Sequence, residues 1–476
     1  MKVFLFLFLL LEGGVSTQCS VISENEPEID GPQLITEKGI WITSPEKNIL
    51  FRQTAASVDF GTASNSDPVI TIDEAKSYQE IDGFGNCLTG GSATLLHKMN
   101  EPARLALLKE LFATDGNNIG ISYLRISIGA SDLSDHVFSY DDLPAGQTDP
   151  DLVRFSIDEE KKDLIPVLKE ILAINPSIKI LGSPWSAPVW MKTNGSFKGG
   201  SLKPEYYNAY ARYFVKYIQA MKAEGIVIDA ITIQNEPLHP GNNPSMYMTS
   251  EDQAAFIKGS LGPVFSGEGI TAKIIVYDHN CDKPDYPMAI YKDPDASKYV
   301  DGAAFHLYAG TINAMTTVHD AFPEKNLYFT EQWVGAPGNL AGDLAWHTKT
   351  LVIGATRNWS RNVLEWNLAS DPSYDPHTSG GCDKCLGTIT INGNGFTKNP
   401  AWYILAHCAK FVRPGSVRIA SNMPEGLPNV AFKTPDGKIV VIVLNDSGTP
   451  KKINLLINGN TAALSLDKGA VATCVW

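Results

Sequence analysis

Glu236 closes the run Ile231-Thr-Ile-Gln-Asn-Glu-Pro237, and Glu331 closes Leu327-Tyr-Phe-Thr-Glu-Gln-Trp333. Each stands where an apolar, strand-like run gives way to polar and aromatic residues. Two carboxyl groups facing one another can break a sugar acetal. One protonates the departing oxygen while the other attacks the anomeric carbon, with the pair about 5 to 5.5 Å apart. Two carboxylates could also hold a divalent cation, or one could pair with Arg125 for structure. No histidine-rich ligand set accompanies them in the sequence, so no metal is expected. The remaining requirement is a scaffold that brings two distant positions face to face.

Short apolar runs with helical patterns between them recur eight times: at Ile81-Asp-Gly-Phe-Gly85, Tyr123–Ile128, Lys179–Trp185, Ala230–Glu236, Lys273–Asp278, Gly302–Tyr308, Leu327–Glu331 and Asn362–Asn367. Strands buried on both faces read as continuous apolar runs, and alternation with helices implies a parallel sheet. Eight such units predict an α/β fold, a (β/α)8 TIM barrel. Tyr206, Tyr210, Tyr213, Phe214, Tyr217, Ile218 and Met221 share one helical stripe, expected to pack on the barrel wall.

Catalytic groups of such barrels lie at the C-terminal strand ends. That rule selects Arg125, Trp185, Asn235, Glu236, Asp278, His306, Tyr308, Glu331, Trp366 and Asn367. It also sets strands four and seven, with their two glutamates, across one mouth. Trp185, Trp333 and Trp366 at strand ends suit sugar, whose CH-rich faces stack on aromatic rings. Trp190, Trp346 and Trp402 are expected to pack instead.

Both chain ends read as short strands. Ile40–Thr43 and Val69–Asp73 precede the barrel, and five runs follow Arg413-Pro-Gly415, punctuated by Pro435-Asp-Gly437 and Asn458-Gly459. Together they predict a β-sandwich side domain formed from both chain ends. The expected division is a signal peptide at 1–17, a tether at 18–38, sandwich strands at 39–78, the catalytic barrel at 79–411 and the remaining sandwich at 412–476. Met1–Leu11 carries one lysine and an apolar run too short to span a bilayer, followed by small residues, as a secretory signal does. Cys19 beyond it leaves lipid anchoring open, and with it the one expected route to a membrane.

A formal net charge of −13 disfavours nucleic acid and anionic membranes as partners. Seven cysteines in 476 residues do not make a disulfide scaffold. Cys382-Asp-Lys-Cys385 has no second CxxC or histidine pair near it, so a local disulfide is expected rather than zinc. Gly83-Phe-Gly85 lacks the third glycine of a dinucleotide fingerprint, and neither a P-loop nor a GxSxG elbow is present. No cofactor is expected, and the sequence gives no oligomeric state. Sequons stand at Asn194, Asn358 and Asn445.

From Ile40 to Trp476 the chain resembles glycoside hydrolase family 30, which includes glucosylceramidases and β-1,6-glucanases. The resemblance is carried by Gln79-Glu-Ile-Asp-Gly-Phe-Gly85, Ser183-Pro-Trp-Ser-Ala-Pro-Val-Trp-Met-Lys-Thr-Asn194, Gln234-Asn-Glu-Pro237 and Glu365-Trp-Asn-Leu368. It implies retention of anomeric configuration, with Glu236 as acid/base, Glu331 as nucleophile and Asn235 on the sugar 2-hydroxyl. It further implies that Asp132, Trp185 and Trp366 line the same subsite, that Arg125 and Tyr308 orient the nucleophile, and that His306 shapes the site. Gln332-Trp333 departs from the small residues that follow the nucleophile of the lysosomal enzyme, and a ring there reshapes the leaving-group side. A secreted retaining β-glycoside hydrolase acting on β-glucan, β-1,6-glucan first, is therefore the expected function. Glucosylceramide or a small β-glucoside or xyloside is the rival substrate, and a non-catalytic carbohydrate-binding barrel the rival class. Burial and the neighbouring carboxylate are expected to keep Glu236 protonated, and Arg125 to keep Glu331 ionised.

Overall fold

The computed structural model describes residues 38–54, 58–61 and 65–476. The expected signal peptide, Cys19 and all of the expected tether but its last residue lie outside the described residues. Eight parallel strands close a barrel: β1 (Gly83–Cys87), β2 (Tyr123–Ser127), β3 (Lys179–Ser183), β4 (Ala230–Thr232), β5 (Lys273–Cys281), β6 (Val300–Gly310), β7 (Asn326–Glu331) and β8 (Ser360–Asn367). β8 pairs with β1, so the ring has no free edge.

The interior follows the two-residue period of strands. One apolar layer consists of Tyr123, Leu181, Ala230, Ile275, Ala304, Tyr328 and Leu364, large and small residues filling the barrel together. Two positions further along each strand the inward residue is polar or aromatic: Arg125, Ser183, Thr232, His306, Thr330 and Trp366. On β5 the count gives Tyr277, yet a register shift between Tyr277 and His279, with φ of 74° at Tyr277 and 57° at Asp278, inserts one residue. Bulges re-aim side chains in this way. Tyr277 therefore packs outward on Phe305 and Tyr286, and Asp278 enters the polar layer.

The predicted stripe forms the helix Tyr207–Ala223, with Tyr210, Tyr213, Phe214, Tyr217 and Met221 fully buried. Trp190 and Trp402 pack as expected. Trp346 does not, being 42% exposed.

The side domain is one nine-stranded sheet that runs Ile49–Gln53, Gly39–Ser44, Val471–Val475, Ile439–Leu444, Asn429–Lys433, Val417–Ser421, Val69–Glu80, Lys451–Ile457 and Asn460–Leu466. It folds over a core that includes Ile40, Ile72, Ile419, Val441, Leu455, Leu464 and Cys474. Both chain ends meet in it, with Ile40 opposite Cys474. Within Ile439–Leu444, Val441 and Val443 face that core while Val440, Ile442 and Leu444 join the barrel's, so one strand seals both layers. The strand that begins at Val69 continues to Glu80, and Gln79 Nε2 donates to the carbonyls of Thr356 and Ser360 at 2.6 and 2.9 Å. No helix among the described residues is long and apolar enough to cross a membrane.

Candidate active site

Arg125 is fully buried at the centre of the polar layer and is shared by four acceptors. Its Nη1 donates to Glu331 Oε2 at 2.6 Å, and its Nη2 donates to Asn235 Oδ1 at 2.6 Å, to Asp278 Oδ2 at 2.7 Å and to Ser183 Oγ at 3.2 Å. A guanidinium can only donate, so it fixes the Asn235 amide with its oxygen inward, leaving Nδ2 as a donor for a ligand. Trp185 and Trp366 lie 5.5 Å apart, with Arg125 over both rings.

Asp278 is the hub beneath this layer. Besides Arg125 it accepts from Ser183 Oγ at 2.7 Å, Thr232 Oγ1 at 2.8 Å and Thr330 Oγ1 at 2.7 Å, and contacts His306 Nε2 at 3.1 Å. Although burial disfavours its charge, Arg125 and these donors hold Asp278 well below the usual carboxylate range.

Glu236 follows β4 with φ of 45°, a left-handed conformation that costs free energy for a residue with a side chain. Its N–H donates to the Asp278 carbonyl at 2.9 Å, which pins the turn. Glu236 Oε1 lies 3.2 Å from His306 Nδ1, and Oε2 accepts from Asn242 Nδ2 at 3.4 Å. Across the mouth, a register shift between Phe329 and Glu331 sets Glu331 opposite His306. Tyr308 Oη donates to Glu331 Oε1 at 3.0 Å. One carboxylate oxygen of Glu236, one of Glu331 and a ring nitrogen of His306 all lie within 4.8 Å of one another. A cation among them would have to compete with the guanidinium already bound to Glu331.

The electrostatics reverse one expectation. Burial raises Glu236, but the His306 hydrogen bond and the positive field of His306 and His279 outweigh it and leave the carboxyl below its ordinary value. Burial raises Glu331, and Glu236 and Asp278 add to that against His306 and Arg125, leaving it above. The depression of Glu236 comes from His306, which burial alone would lower but which Glu331, Asp278 and Glu236 push up to about 9. With Asp278 ionised, Nε2 must carry hydrogen, so the remaining proton belongs to the Nδ1–Glu236 contact. Imidazolium with carboxylate and imidazole with carboxylic acid differ only in where that proton sits.

Asp132 lies buried beside the pair, its carboxyl raised to about 7 by burial and then by Glu331 and Glu236. Trp333 is half-buried against the cluster that contains Trp185 and Trp366. The structure thus brings nine of the ten sequence-selected residues together at one mouth, while Asn367 Nδ2 donates to the Ala369 carbonyl at 3.2 Å instead. The strand-end rule named Asp278 but gave it no role. Asn242 was missed, since it sits in an irregular loop that has no period to betray it.

The profile of the glycosyl hydrolase family 30 TIM-barrel domain matches residues 81–412, and that of the family's β-sandwich domain matches residues 415–474. The chain belongs to glycoside hydrolase family 30. It is 35% identical to the endo-1,6-β-D-glucanase neg1 of Aspergillus fumigatus over 80% of this chain and 81% of that one. It is 31% identical to the lysosomal acid glucosylceramidase of Mus musculus over 80% and 77%. The solved structure titled as the endo-β1,6-glucanase BT3312 superposes with a TM-score of 0.84 at 36% identity, covering 93% of this chain and 99% of that one. As a family 30 member the protein is a glycoside hydrolase, and its partner is a carbohydrate substrate.

Proposed function

We propose that this protein is a retaining endo-β-1,6-glucanase in which Glu236 is the acid/base and Glu331 the nucleophile. The carrying observation is the approach of their oxygens to within 4.8 Å. Inversion would need a gap of about 6.5 to 9.5 Å to seat a water between carboxyl and sugar. The 1,6-linkage follows the relatives named for it, at 35% and 36% identity over most of both chains, and the Trp333 ring beside the mouth.

In this reading Glu331, held by Arg125 and Tyr308, attacks the anomeric carbon. The proton on the Glu236–His306 contact goes to the departing glucosyl oxygen through Glu236. Attack consumes the Glu331 charge, the strongest support for the His306 proton, so the pair releases its proton more readily as the bond breaks and is left deprotonated, the state in which it can act as base toward the incoming water. Asn235 Nδ2 and Asp132 bind hydroxyls of the attacked glucose, while Trp185 and Trp366 wall the subsite.

Product analysis on β-1,6-glucan, glucosylceramide and aryl β-glucosides in parallel tests the assignment. Gluco-oligosaccharides from β-1,6-glucan are expected. Glucose release from glucosylceramide with β-1,6-glucan left intact would overturn the substrate. A 2-fluoroglucoside should label Glu331, and labelling elsewhere would overturn the roles. Export through residues 1–17 belongs to the same proposal, supported by the Cys382–Cys385 disulfide, a bond of oxidising compartments. The mass of the exported chain should lack that segment.

A further inference from the structure

Between β8 and the helix Pro400–Ala409, a loop carries the disulfide Cys382–Cys385. Its backbone is tied to three walls of the site. On the first, Thr378 N and Thr378 Oγ1 both donate to the Asp132 carbonyl, at 2.8 and 3.3 Å. Gly381 sits so close that a Cβ there would lie 2.3 Å from the same carbonyl. On the second, Cys385–Leu386 pairs antiparallel with Val334–Gly335, the residues directly after Trp333, and Ala336 N donates to Lys384 O at 2.8 Å. On the third, Asn243 Nδ2 donates to Ser379 O at 3.1 Å, next to the Asn242 that touches Glu236. Both cysteines share one apolar cluster with Leu133, Trp185, Trp333 and Trp366.

Cys382 follows the residues that hold Asp132, Cys385 heads those that hold the Trp333 segment, and the two residues between the cysteines, Asp383 and Lys384, are exposed. Without the sulfur bond the loop would join these two attachments only through a solvent-facing turn. We propose that the Cys382–Cys385 disulfide is a positioning element of the sugar site, keeping the loop against the Asp132 backbone and the Trp333 segment at its distance across the pocket. The inference rests on the glucanase reading, which assigns Asp132 to a glucose hydroxyl. A loop free to move would let Asp132 leave its place against the glucose hydroxyl, and loss of that hydrogen bond should weaken glucoside binding by roughly tenfold.

The test uses the folded native enzyme and a dithiol, which closes to its own cyclic disulfide as the protein S–S bond opens to two thiols. Four other described cysteines are buried and should stay silent to a thiol reagent added before and after. With two new thiols counted, KM for an aryl β-glucoside should rise about tenfold and kcat change much less, and reoxidation should reverse both. Two new thiols with KM unchanged would overturn the proposal. If the bond resists the dithiol, the Cys382→Ser/Cys385→Ser pair at matched melting temperature takes the same readout. Gly381→Ala, which displaces the loop from Asp132 with the disulfide intact, should raise KM as well, and its failure to do so would also overturn the proposal. Loss of the underlying reading looks different: the untreated enzyme would then lack β-glucosidase activity or label at a residue other than Glu331.

Discussion

Glu331 can attack only as an anion, and its pKa stands above that of an ordinary carboxylate because burial outweighs the help of His306 and Arg125. A raised pKa delays ionisation as pH increases, so the acid limb of kcat/KM should lie above the ordinary carboxylate range. Tyr308→Phe removes a donor to the anion and should move that limb further up. The alkaline limb belongs to the proton held between His306 and Glu236. Asp278 is one of the charges that raise His306, so Asp278→Asn should shift this limb to lower pH. A pH–rate profile of each variant checks both signs. Glu236→Gln should lower the rate on poor leaving groups by roughly 10² to 10⁴, and by much less on activated aryl glucosides, where departure needs no proton. Equal losses on both classes would remove Glu236 from the acid role. The residue types and their strand-end positions were readable from the chain; the protonation order was not, because it depends on His306 standing 3.2 Å from one glutamate and 3.8 Å from the other.

At the scale of elements, the eight barrel strands were legible because a parallel strand buried on both faces leaves an unbroken apolar run. The bulge at Tyr277–Asp278 left no such mark, although it decides which of two neighbours faces the site. Asn460–Leu466 was also missed, its Ala462, Ala463 and Ser465 lacking the bulk that marks a strand, even though the Asn458-Gly459 turn before it was seen. The long excursion from β2 to β3 contains Glu160, buried, accepting from Tyr140 Oη at 2.7 Å and pushed up to about 8 by burial. The folded chain keeps this proton after the unfolded chain has lost it. Stability from Glu160 is therefore fully present below the ordinary glutamate pKa of about 4.3 and drains away as pH rises towards 8. Glu160→Gln retains an acceptor for Tyr140 and cannot ionise. Its denaturation free energy should fall less steeply than wild type between pH 5 and pH 8, as measured by urea titration at each pH.

For the whole molecule, the question is what makes barrel and sandwich one cooperative body. The two-faced strand Ile439–Leu444 supplies apolar contact, and His407 supplies a polar bolt. From the helix Pro400–Ala409, His407 Nδ1 meets Thr473 Oγ1 at 2.9 Å and Nε2 meets Thr43 Oγ1 at 2.8 Å, so one ring joins the barrel to strands from both chain ends. Thr473 Oγ1 in turn donates to the His407 carbonyl, which leaves it to accept from Nδ1–H, while Nε2 accepts from Thr43. Burial with no carboxylate partner lowers the pKa of His407 to about 3. The unfolded chain takes up its proton near 6.5, the folded chain only near 3. This contribution is thus present above pH 6.5 and lost as pH falls towards 3, on the order of 3 to 6 kcal/mol in total. Acid should open the joint, and because both strands beside the ring belong to the same sheet as the rest of the sandwich, barrel and side domain should unfold together. His407→Gln, which offers one donor and one acceptor but cannot be charged, should start less stable at neutral pH and lose less on acidification. Calorimetry from pH 7 to pH 4 should show one transition in both proteins with the two stability curves converging. Parallel curves would mean that His407 does not carry the acid sensitivity of the joint.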